Sequence, residues 1–379
     1  MLIPDWRKKH LQANPSATNA SGGCDSIGFA DDGFERTSTL PRPSTLTTEP
    51  NRILICRPNS RLGNTLLLTP LVQELERLFP GAEIDIVSAC PSAAEIFREY
   101  TSVRTIHQLP RLGARQPLST LAKFLLARRT RYDLIIDPCP KSWTSRFWTR
   151  AMRTRADKLG FRSAKKVAGV NCSVSIENAP RHMAQYPVHL IRRVVAARVA
   201  GQPQRFMPQL NLRLTKAERE FGVQKAQQLV RDYDFDRPIV GLFLNATGKK
   251  RFGENFWRRL VTRLQKDLPQ MQIIEIVPAS GERVFSEWPS YFSTSVRRVA
   301  AVINATDWFI SADCGVMHLG AATETSTLGL FKVTDAAVYA PYGAHNAAIH
   351  VDENTPESAF EQIAQRMLTA RATRRQAVA

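Results

Sequence analysis

The chain has 379 residues, of which 43% are hydrophobic and 23% charged, so it is long enough for two globular domains. Lys and Arg number 52 against 34 Asp and Glu, and the resulting formal net charge of +18 favours an anionic partner. The partner could be nucleic acid, acidic lipid, phosphorylated glycan or nucleotide, and the net charge alone does not choose among them.

The cysteines and the apolar runs exclude two more classes of protein. The six cysteines include no C-x-x-C pair and no nearby His at zinc spacing, so we expect reduced thiols and no zinc site. No run approaches the roughly 18 apolar residues of a membrane span, and residues 1–11 lack the apolar core of a secretory signal. We therefore expect a cytoplasmic protein.

The first part of the chain divides into a tail and an alternating series. Residues 1–50 are rich in Ser, Thr, Gly, Asn and Pro without apolar periodicity, which predicts a disordered tail. Strand patterns then follow at 52–56, 83–88, 103–106 and 132–137. Helix patterns lie between and after them at 64–79, 91–100, 118–129 and 189–200. This alternation predicts a parallel, doubly wound domain over residues 51–206.

A second series follows a Pro-containing linker at 201–208. Its strand patterns lie at 238–244, 272–277, 308–312 and 326–331, and its helix patterns at 216–233, 254–267, 296–304 and 317–323. Thr215 and Glu218 have the spacing of a capping box. We predict a second Rossmann-like domain over 207–352, and a C-terminal helix and tail at 353–379 that pack back on the first domain. Two such domains face each other across a cleft at the carboxyl ends of their strands.

Two loop segments carry side chains suited to an anionic ligand. In the first, residues 57–64, Gly63 lets the backbone approach a ligand and Asn64 is positioned to cap the next helix. In the second, residues 245–252, a Thr hydroxyl, a Gly and three successive cations follow a strand and suit a diphosphate. The alternative for this segment is a solvated basic loop.

A third segment, residues 311–319, places a carboxylate beside backbone donors. Asp313 ends a strand, Gly315 allows a tight turn, and the N–H groups that follow open a helix. Such a turn offers an acceptor for sugar hydroxyls next to donors for phosphate. His318 considered alone is more typical of a buried core residue than of a ligand.

Together, and in this order, the three segments resemble glycosyltransferase family 9, the heptosyltransferase family of lipopolysaccharide core assembly. The run RPNSRLGNTLLLTP resembles the family opening R-x-S-x-x-G-D-x-x-x-x-T-P, Lys250-Arg251-Phe252 resembles its K-R-W, and DCGVMHLGAA resembles its D-(T/S)-G-x-x-H-L-A-A-A. The resemblance covers about residues 52–351. It implies the GT-B fold, an acceptor-binding first domain, a donor-binding second domain, and inversion at the anomeric carbon with no metal or other cofactor.

The resemblance also implies substrates and residue roles. The donor is expected to be ADP-heptose, and the acceptor a lipopolysaccharide core or a related lipid-linked anionic glycan at the inner face of the cytoplasmic membrane. Asp313 is expected to touch the donor sugar, and Glu282 to accept from ribose hydroxyls. The other expected donor-binding residues are Thr247, Gly248, Lys250, Gly315, Val316, Met317 and His318. The expected acceptor-side residues are Ser60, Arg61 and Gly63.

The chain departs from the family where the relatives place their catalytic Asp, because Asn64 stands there. An amide has no useful basicity, so Asn64 cannot be the general base. Three explanations stay open: Asp137 is the base; Asn64 only positions the acceptor while the reaction depends on leaving-group stabilisation; or the chain is a catalytically silent sugar-nucleotide-binding protein. Asp137 has its own alternative, that of capping the turn after its strand. The candidate catalytic residues are thus Asn64, Asp137 and Asp313.

Two other departures are smaller. Residues 332–335 read Lys-Val-Thr-Asp where relatives usually have G-P-T-D, which affects the backbone of that turn and the choice of donor sugar. Phe252 replaces the common Trp and keeps an aromatic ring.

The helix predicted at 118–129 places Leu121, Phe124 and Leu125 beside Lys123, Arg128 and Arg129. That combination suits peripheral attachment to an anionic inner leaflet or to acceptor phosphates. The alternative is a stripe that faces the protein core. No RNP-like aromatic stripe, helix-turn-helix signature or zinc finger is present in the sequence, so we expect no nucleic-acid partner.

Overall fold

The computed structural model describes residues 46–110, 117–162, 169–177, 179–196, 206–230, 237–353 and 355–376, with only the backbone of 370–376. The predicted tail lies outside these residues except for 46–50, and the predicted linker lies outside them up to residue 205. Cys24 also lies outside them, whereas Cys56, Cys90, Cys139, Cys172 and Cys314 are free thiols.

Within the described residues, six parallel strands form the first sheet, in the order β3-β2-β1-β4-β5-β6. They are β1 (Arg52–Arg57), β2 (Glu83–Ser88), β3 (Val103–Gln108), β4 (Tyr132–Asp137), β5 (Thr154–Phe161) and β6 (Cys172–Val174). The helices of this half are α1 (Leu62–Leu66), α2 (Thr69–Leu78), α3 (Ala93–Ile96), α4 (Pro117–Arg129), α5 (Trp143–Ala151) and α6 (Tyr186–Val195). The central strand β1 is apolar because both faces of a parallel sheet are covered by helices.

A second sheet of six parallel strands follows in the described chain, in the order β12-β11-β10-β7-β8-β9. The strands are β7 (Ile239–Phe243), β8 (Gln272–Ile276), β9 (Ser290–Tyr291), β10 (Trp308–Ala312), β11 (Ser326–Phe331) and β12 (Ala347–His350). The helices are α7 (Lys216–Leu229), α8 (Glu254–Asp267), α9 (Val296–Asn304), α10 (Gly315–Ala321), α11 (Ala336–Tyr339) and α12 (Glu357–Gln376). None of the described helices is both long enough and apolar enough to cross a membrane.

Local sequence determines several of these boundaries. The single helix predicted over 64–79 is two helices, because Pro70 stands at the start of α2 and a proline cannot continue a preceding turn. The capping box is confirmed: Thr215 Oγ1 accepts from the Glu218 N–H at 3.2 Å, and Glu218 Oε2 accepts from the Thr215 N–H at 2.9 Å. The prediction missed α5, β5 and β6 in the first half and β9, α11 and β12 in the second. Of these, β6, β9, α11 and β12 are no more than four residues long, and β5 intersperses charged with apolar residues.

The final helix was predicted to pack back on the first domain, but the side chains that the structure describes lie elsewhere. In its described part, α12 packs on the second sheet's own helix layer: Phe360, Ile363 and Met367 join the buried cluster of α8. The ring of Phe360 lies 5.3 Å from that of Phe256. A one-sided apolar stripe fixes which face of a helix is buried, but not which neighbour covers it.

The chain crosses between the two halves along residues 206–214, and buried polar contacts fix this crossing. Tyr100 of the first half donates its hydroxyl to the Asn211 carbonyl at 2.6 Å. Arg297 on α9, 1% exposed, donates to the carbonyls of Glu95 at 3.1 Å and Leu212 at 3.0 Å. Its guanidinium also pairs with Glu218 through two hydrogen bonds of 2.6 Å. This one side chain therefore holds α3, the crossing segment and α7 together.

Candidate active site

The first and third segments meet where α1 follows β1 and α10 follows β10. A Cβ added at Gly63 would lie 2.7 Å from His318 Cδ2 and 3.3 Å from Gly315 Cα. A Cβ added at Gly315 would lie 3.1 Å from the Gly63 nitrogen. Two glycines thus let the helix starts of the two halves touch, and this contact brings the carboxyl edges of the two sheets together.

The second and third segments are joined by an ion pair. Lys250 Nζ lies 2.7 Å from Asp313 Oδ2, and the Asp313 side chain is only 7% exposed while that of Lys250 is 36% exposed. Strands β7 and β10 are neighbours in the sheet, so their following loops lie side by side. The cation of the basic loop and the carboxylate of the third segment therefore form one site.

The basic loop is anchored at one end and open at the other. Phe252 is buried and stacks on Phe256 with ring centroids 4.3 Å apart. Lys332 Nζ donates to the Arg251 carbonyl at 2.7 Å and lies 4.7 Å from the Phe252 ring. The two departures, Phe for Trp and Lys in the 332–335 turn, thus contact each other and hold the end of this loop.

The open part of the loop carries the predicted phosphate ligands. Thr247, Gly248 and Lys249 are exposed, and a short 3-10 turn runs from Gly248 to Lys250. Gly248 has φ +59°, a backbone conformation that disfavours other side chains. Thr247, Gly248 and Lys249 are therefore exposed at the carboxyl edge of β7, while the Lys250 ammonium pairs with Asp313.

His318 is buried against this site and is uncharged at neutral pH. Burial lowers its pKa to about 4; the Asp313 carboxylate opposes the shift, whereas His182 and Lys250 add to it. Its Nδ1 has no hydrogen-bond partner among the residues that the structure describes. The side chain is thus a buried neutral imidazole with one unused ring nitrogen, beside Gly63 and the Lys250–Asp313 pair.

This buried histidine predicts a loss of stability in mild acid. Because the folded pKa of His318 lies below the unfolded value near 6.5, the unfolded state binds the extra proton first as the pH falls. The loss develops between about pH 6.5 and pH 4 and reaches on the order of 3 kcal/mol. Urea unfolding at both ends of that window should show a larger loss in the parent protein than in His318→Gln, in which His182 and His189, whose pKa values burial also lowers, still contribute. An equal loss in both proteins would contradict the assignment.

Asn64 lies inside α1 and does not cap it, contrary to prediction. The N-cap is Arg61, and Asn64 is the third helical residue. Asn64 Nδ2 donates to Asn59 Oδ1 at 3.1 Å, and the same oxygen accepts from the Arg61 N–H at 2.8 Å. The loop of residues 57–64, here called the acceptor-side loop, therefore uses the amide N–H of Asn64 as a donor. An Asp carboxylate at this position could not donate and would face the Asn59 oxygen.

Asp137 is completely buried and fully engaged in the structure. Its Oδ2 accepts from Arg146 Nε at 2.7 Å, and its Oδ1 accepts from the Cys139 N–H at 3.2 Å and contacts the Ser145 hydroxyl. Arg146 itself is 4% exposed and donates to the Phe161 carbonyl at 2.8 Å. This geometry is that of a side chain that caps the turn after its strand. Neither carboxylate oxygen of Asp137 is exposed, as a general base would require.

The other predicted residues lie at the same two edges. Glu282 is exposed on the loop after β8, while Val316 and Met317 open α10. Ser60 and Arg61 precede α1 on the first half. The structure brings Lys250, Asp313, His318 and Gly63 together. Within the described part of the chain, Glu282 forms no hydrogen bond or ion pair with them.

Two features of this region were missed in the sequence. Glu275, 1% exposed inside β8, accepts from the Val284 N–H at 2.9 Å and so ties down the loop that carries Glu282; an acid within an apolar strand was the available signal. His182 of the first half stacks on Tyr342 of the second at 4.8 Å and bonds the Ala340 carbonyl at 2.9 Å. No local pattern marks that second contact.

The model of the family described as "Glycosyltransferase family 9 (heptosyltransferase)" matches residues 121–367, well over half of the chain. The chain belongs to glycosyltransferase family 9. Its two facing parallel sheets are the GT-B architecture that the sequence predicted. Within the part of this family 9 chain that the structure describes, no group of three or more His, Cys, Asp or Glu is arranged to hold a metal ion.

Solved structures give the same fold. Escherichia coli heptosyltransferase WaaC with ADP is 20% identical, with a TM-score of 0.63 over 83% of this chain and 99% of WaaC. A family 9 protein from Veillonella parvula is 14% identical, with a TM-score of 0.67 over 86% and 97% of the two chains. E. coli ADP-heptose heptosyltransferase II is 16% identical, with a TM-score of 0.62 over 85% and 99%. A search among curated proteins gave no match.

Proposed function

We propose that this family 9 protein transfers a heptose from ADP-heptose, with inversion, to a lipopolysaccharide core or related lipid-linked glycan at the inner face of the cytoplasmic membrane. In this proposal residues 51–206 bind the acceptor and 207–352 the donor. The observation that carries it is the 2.7 Å Lys250–Asp313 pair beside the Gly63–Gly315 contact. Structures of WaaC with ADP and with ADP-2-deoxy-2-fluoro heptose support the choice of nucleotide.

The chemistry needs a stabilised leaving group. As the anomeric carbon–oxygen bond breaks, its electron pair passes to the departing diphosphate, and the barrier falls when fixed donors neutralise that charge. Lys250 supplies an ammonium, Thr247 a hydroxyl, and Gly248, Gly315, Val316 and Met317 supply backbone N–H groups. All of them belong to the loop after β7 or the helix start after β10.

Asp313 becomes available to bind the donor sugar when the donor diphosphate replaces it as the partner of Lys250. The ammonium moves to the diphosphate, and the carboxylate then accepts hydrogen bonds from hydroxyls of the donor sugar. Neutral His318 borders the same point and keeps a ring nitrogen available for a hydroxyl. Glu282, exposed on the loop after β8, is assigned to the ribose.

Acceptor activation does not use a carboxylate at position 64 or 137 in this proposal. Asn64 has no basicity, and the Asp137 carboxylate is closed off by its pair with Arg146. The acceptor hydroxyl is instead aligned behind the anomeric carbon by the loop of Ser60, Arg61, Gly63 and Asn64, and its proton is lost to water. Alignment and leaving-group stabilisation then supply the rate enhancement.

A catalytically silent sugar-nucleotide-binding protein is the second candidate, and Asn64 is the observation that favours it. Both candidates bind the donor through Lys250, so only turnover separates them. Incubation with ADP-heptose and a heptose-deficient lipopolysaccharide core should release ADP and lengthen the core. Donor binding without ADP release on such cores would favour the silent protein.

Donor binding is tested by thermal shift with ADP. We expect ADP to raise the melting temperature of the parent protein, and Lys250→Ala to weaken ADP binding about 10- to 100-fold, because a charge-assisted hydrogen bond is lost. Lys249→Ala is the matched control: it removes a neighbouring exposed cation and should leave the ADP response unchanged. Equal responses in the two variants would remove Lys250 from the site.

A nucleic-acid-binding protein would behave differently in the same samples. Tight filter binding of unrelated RNA at physiological salt, unaffected by ADP, would favour that class over a transferase.

A further inference from the structure

Exposed apolar side chains are concentrated on α4 and α5. Among the described residues, ten large hydrophobic side chains are exposed, and six of them lie on these two helices. They are Leu118, Leu121, Leu125, Leu126, Trp143 and Phe147, here called the α4–α5 patch. Leu118 is 81% and Phe147 61% exposed, so the predicted alternative of a core-facing stripe does not describe this helix face.

The two helices present one continuous surface. Phe124 of α4 lies 6.2 Å from the Phe147 ring and 5.2 Å from the Trp148 ring of α5, which holds the helices side by side. Leu118, Leu121 and Leu125 follow at helical spacing on one face of α4. The leucines and the exposed aromatic rings therefore belong to a single apolar area.

The charge around this area is of one sign. Residues 109–156 contain eleven Lys and Arg but only two acids, Asp133 and Asp137. Asp137 is buried, and Asp133 accepts from backbone N–H groups at the start of β1. Arg128 lies 5.7 Å from the Phe124 ring. The exposed cations on α4 and α5 or next to them in the chain are Lys123, Arg128, Arg129, Arg131, Lys141 and Arg150.

This surface adjoins the acceptor side of the site. Trp143 opens α5 a few residues after the carboxyl end of β4. Ser145 donates to the Cys56 carbonyl at 2.6 Å, immediately before the loop of residues 57–64. The patch and the acceptor-side loop are thus attached to neighbouring strands at the same edge of the first sheet.

We propose that the α4–α5 patch docks the protein on an anionic lipid bilayer. The leucines and aromatic rings enter the interfacial region, and the surrounding cations meet lipid phosphates. A second copy of the chain fits poorly, because pairing this face with itself would oppose two cationic rims. The purpose of this docking rests on the proposed function: a lipid-linked acceptor would reach the site from the bilayer to which the protein is bound.

Vesicle sedimentation tests the patch with a charge-matched pair of variants. Leu121→Glu/Leu125→Glu changes the patch, and Phe292→Glu/Leu368→Glu makes the same charge change at exposed residues of the second half. With equal parts of phosphatidylglycerol and phosphatidylcholine, we expect the patch variant to partition at least about tenfold less than the parent, and the control to stay within about twofold. Vesicles of phosphatidylcholine alone should bind the parent weakly.

Other outcomes would overturn the proposal. One is an equal loss of vesicle binding in the patch variant and the control variant. Another is equal binding of the parent protein to vesicles with and without phosphatidylglycerol. A third is a patch variant in which vesicle binding is unchanged and only the oligomeric state or RNA binding differs. Thermal melting with ADP keeps this test separate from the proposed function. The patch variant should fold and respond to ADP as the parent does, and Lys250→Ala should still bind vesicles. A failed ADP response with intact, patch-dependent vesicle binding would reject the donor assignment and leave the docking surface standing.

Discussion

Replacing Arg297 by Met is expected to lower the free energy of unfolding by about 3–5 kcal/mol, the usual cost of removing one partner of a buried ion pair. Arg297 is 1% exposed. Its guanidinium donates hydrogen bonds to the Glu218 carboxylate and to the backbone carbonyls of Glu95, Leu212 and Arg213. Methionine fills similar volume but donates nothing. Three carbonyls and a carboxylate would lose their donor at the junction of the two halves.

The consequence for Glu218 makes the effect large. Burial alone would raise the pKa of Glu218, but hydrogen bonds from Arg297 and from the Thr215 backbone lower it overall. Without Arg297 the carboxylate keeps its burial and loses its main partner, while it still belongs to the capping box of α7. The double variant Arg297→Met/Glu218→Gln should therefore recover part of the loss.

Urea unfolding measures this prediction, with Arg298→Met as the matched control. Arg298 is the next residue on α9 and is exposed, so its replacement should cost well under 1 kcal/mol. Similar losses for the two variants would mean that the buried network contributes little to holding the halves together.

Replacing Gly63 by Val is expected to reduce kcat/KM for transfer by about 100-fold or more, with ADP affinity changed by less than about threefold. The new Cβ would lie 2.7 Å from His318 Cδ2 and 3.3 Å from Gly315 Cα, and the additional methyl groups of Val increase the crowding, so we expect α1 and α10 to separate. In the proposed function, Lys250 and Asp313 of the second half bind the donor, whereas the loop of residues 57–64 on the first half binds the acceptor. Separation thus misaligns acceptor and donor more than it weakens the donor site.

ADP release with the heptose-deficient core acceptor measures transfer, and thermal shift measures ADP binding in the same preparation. Gly253→Val is the control, because a Cβ at Gly253 meets nothing within 4 Å. Unchanged transfer by Gly63→Val would show that the helix contact does not set the alignment. A loss of ADP binding as large as the loss of transfer would place the defect in the donor site instead.

The sequence predicted those elements whose physics is local. The buried strands β1, β4, β7 and β10 are short apolar runs. The contact of Gly63 with Gly315 was not predicted, because Gly63 was expected to approach a ligand and Gly315 to form a tight turn. Strand-end loops of a parallel sheet share an edge, so the proximity of the 245–252 and 311–319 segments was predictable as well. The ion pair between Lys250 and Asp313 was not, because side-chain partners depend on packing.

The features that could not be predicted from the sequence depend on contacts with residues distant in the chain. Asp137 ends a strand in the way a base or a turn cap would, and the observation that favours the turn cap, its pairing with Arg146, depends on the unpredicted helix α5. The direction in which α12 packs depends on Phe256, about a hundred residues earlier. The face of α4 was ambiguous for the same reason, since Phe124 finds its partners on α5.

If Lys250 and Asp313 bind the donor as proposed, their ion pair also selects among the anions that can occupy the site. Any anion that draws the ammonium away leaves behind a carboxylate that is 7% exposed, and an uncompensated charge at that depth is costly. Inorganic phosphate satisfies the lysine and offers the aspartate little. A molecule that carries both phosphates and hydroxyls satisfies both side chains, so we expect the proposed site to prefer it over simple anions.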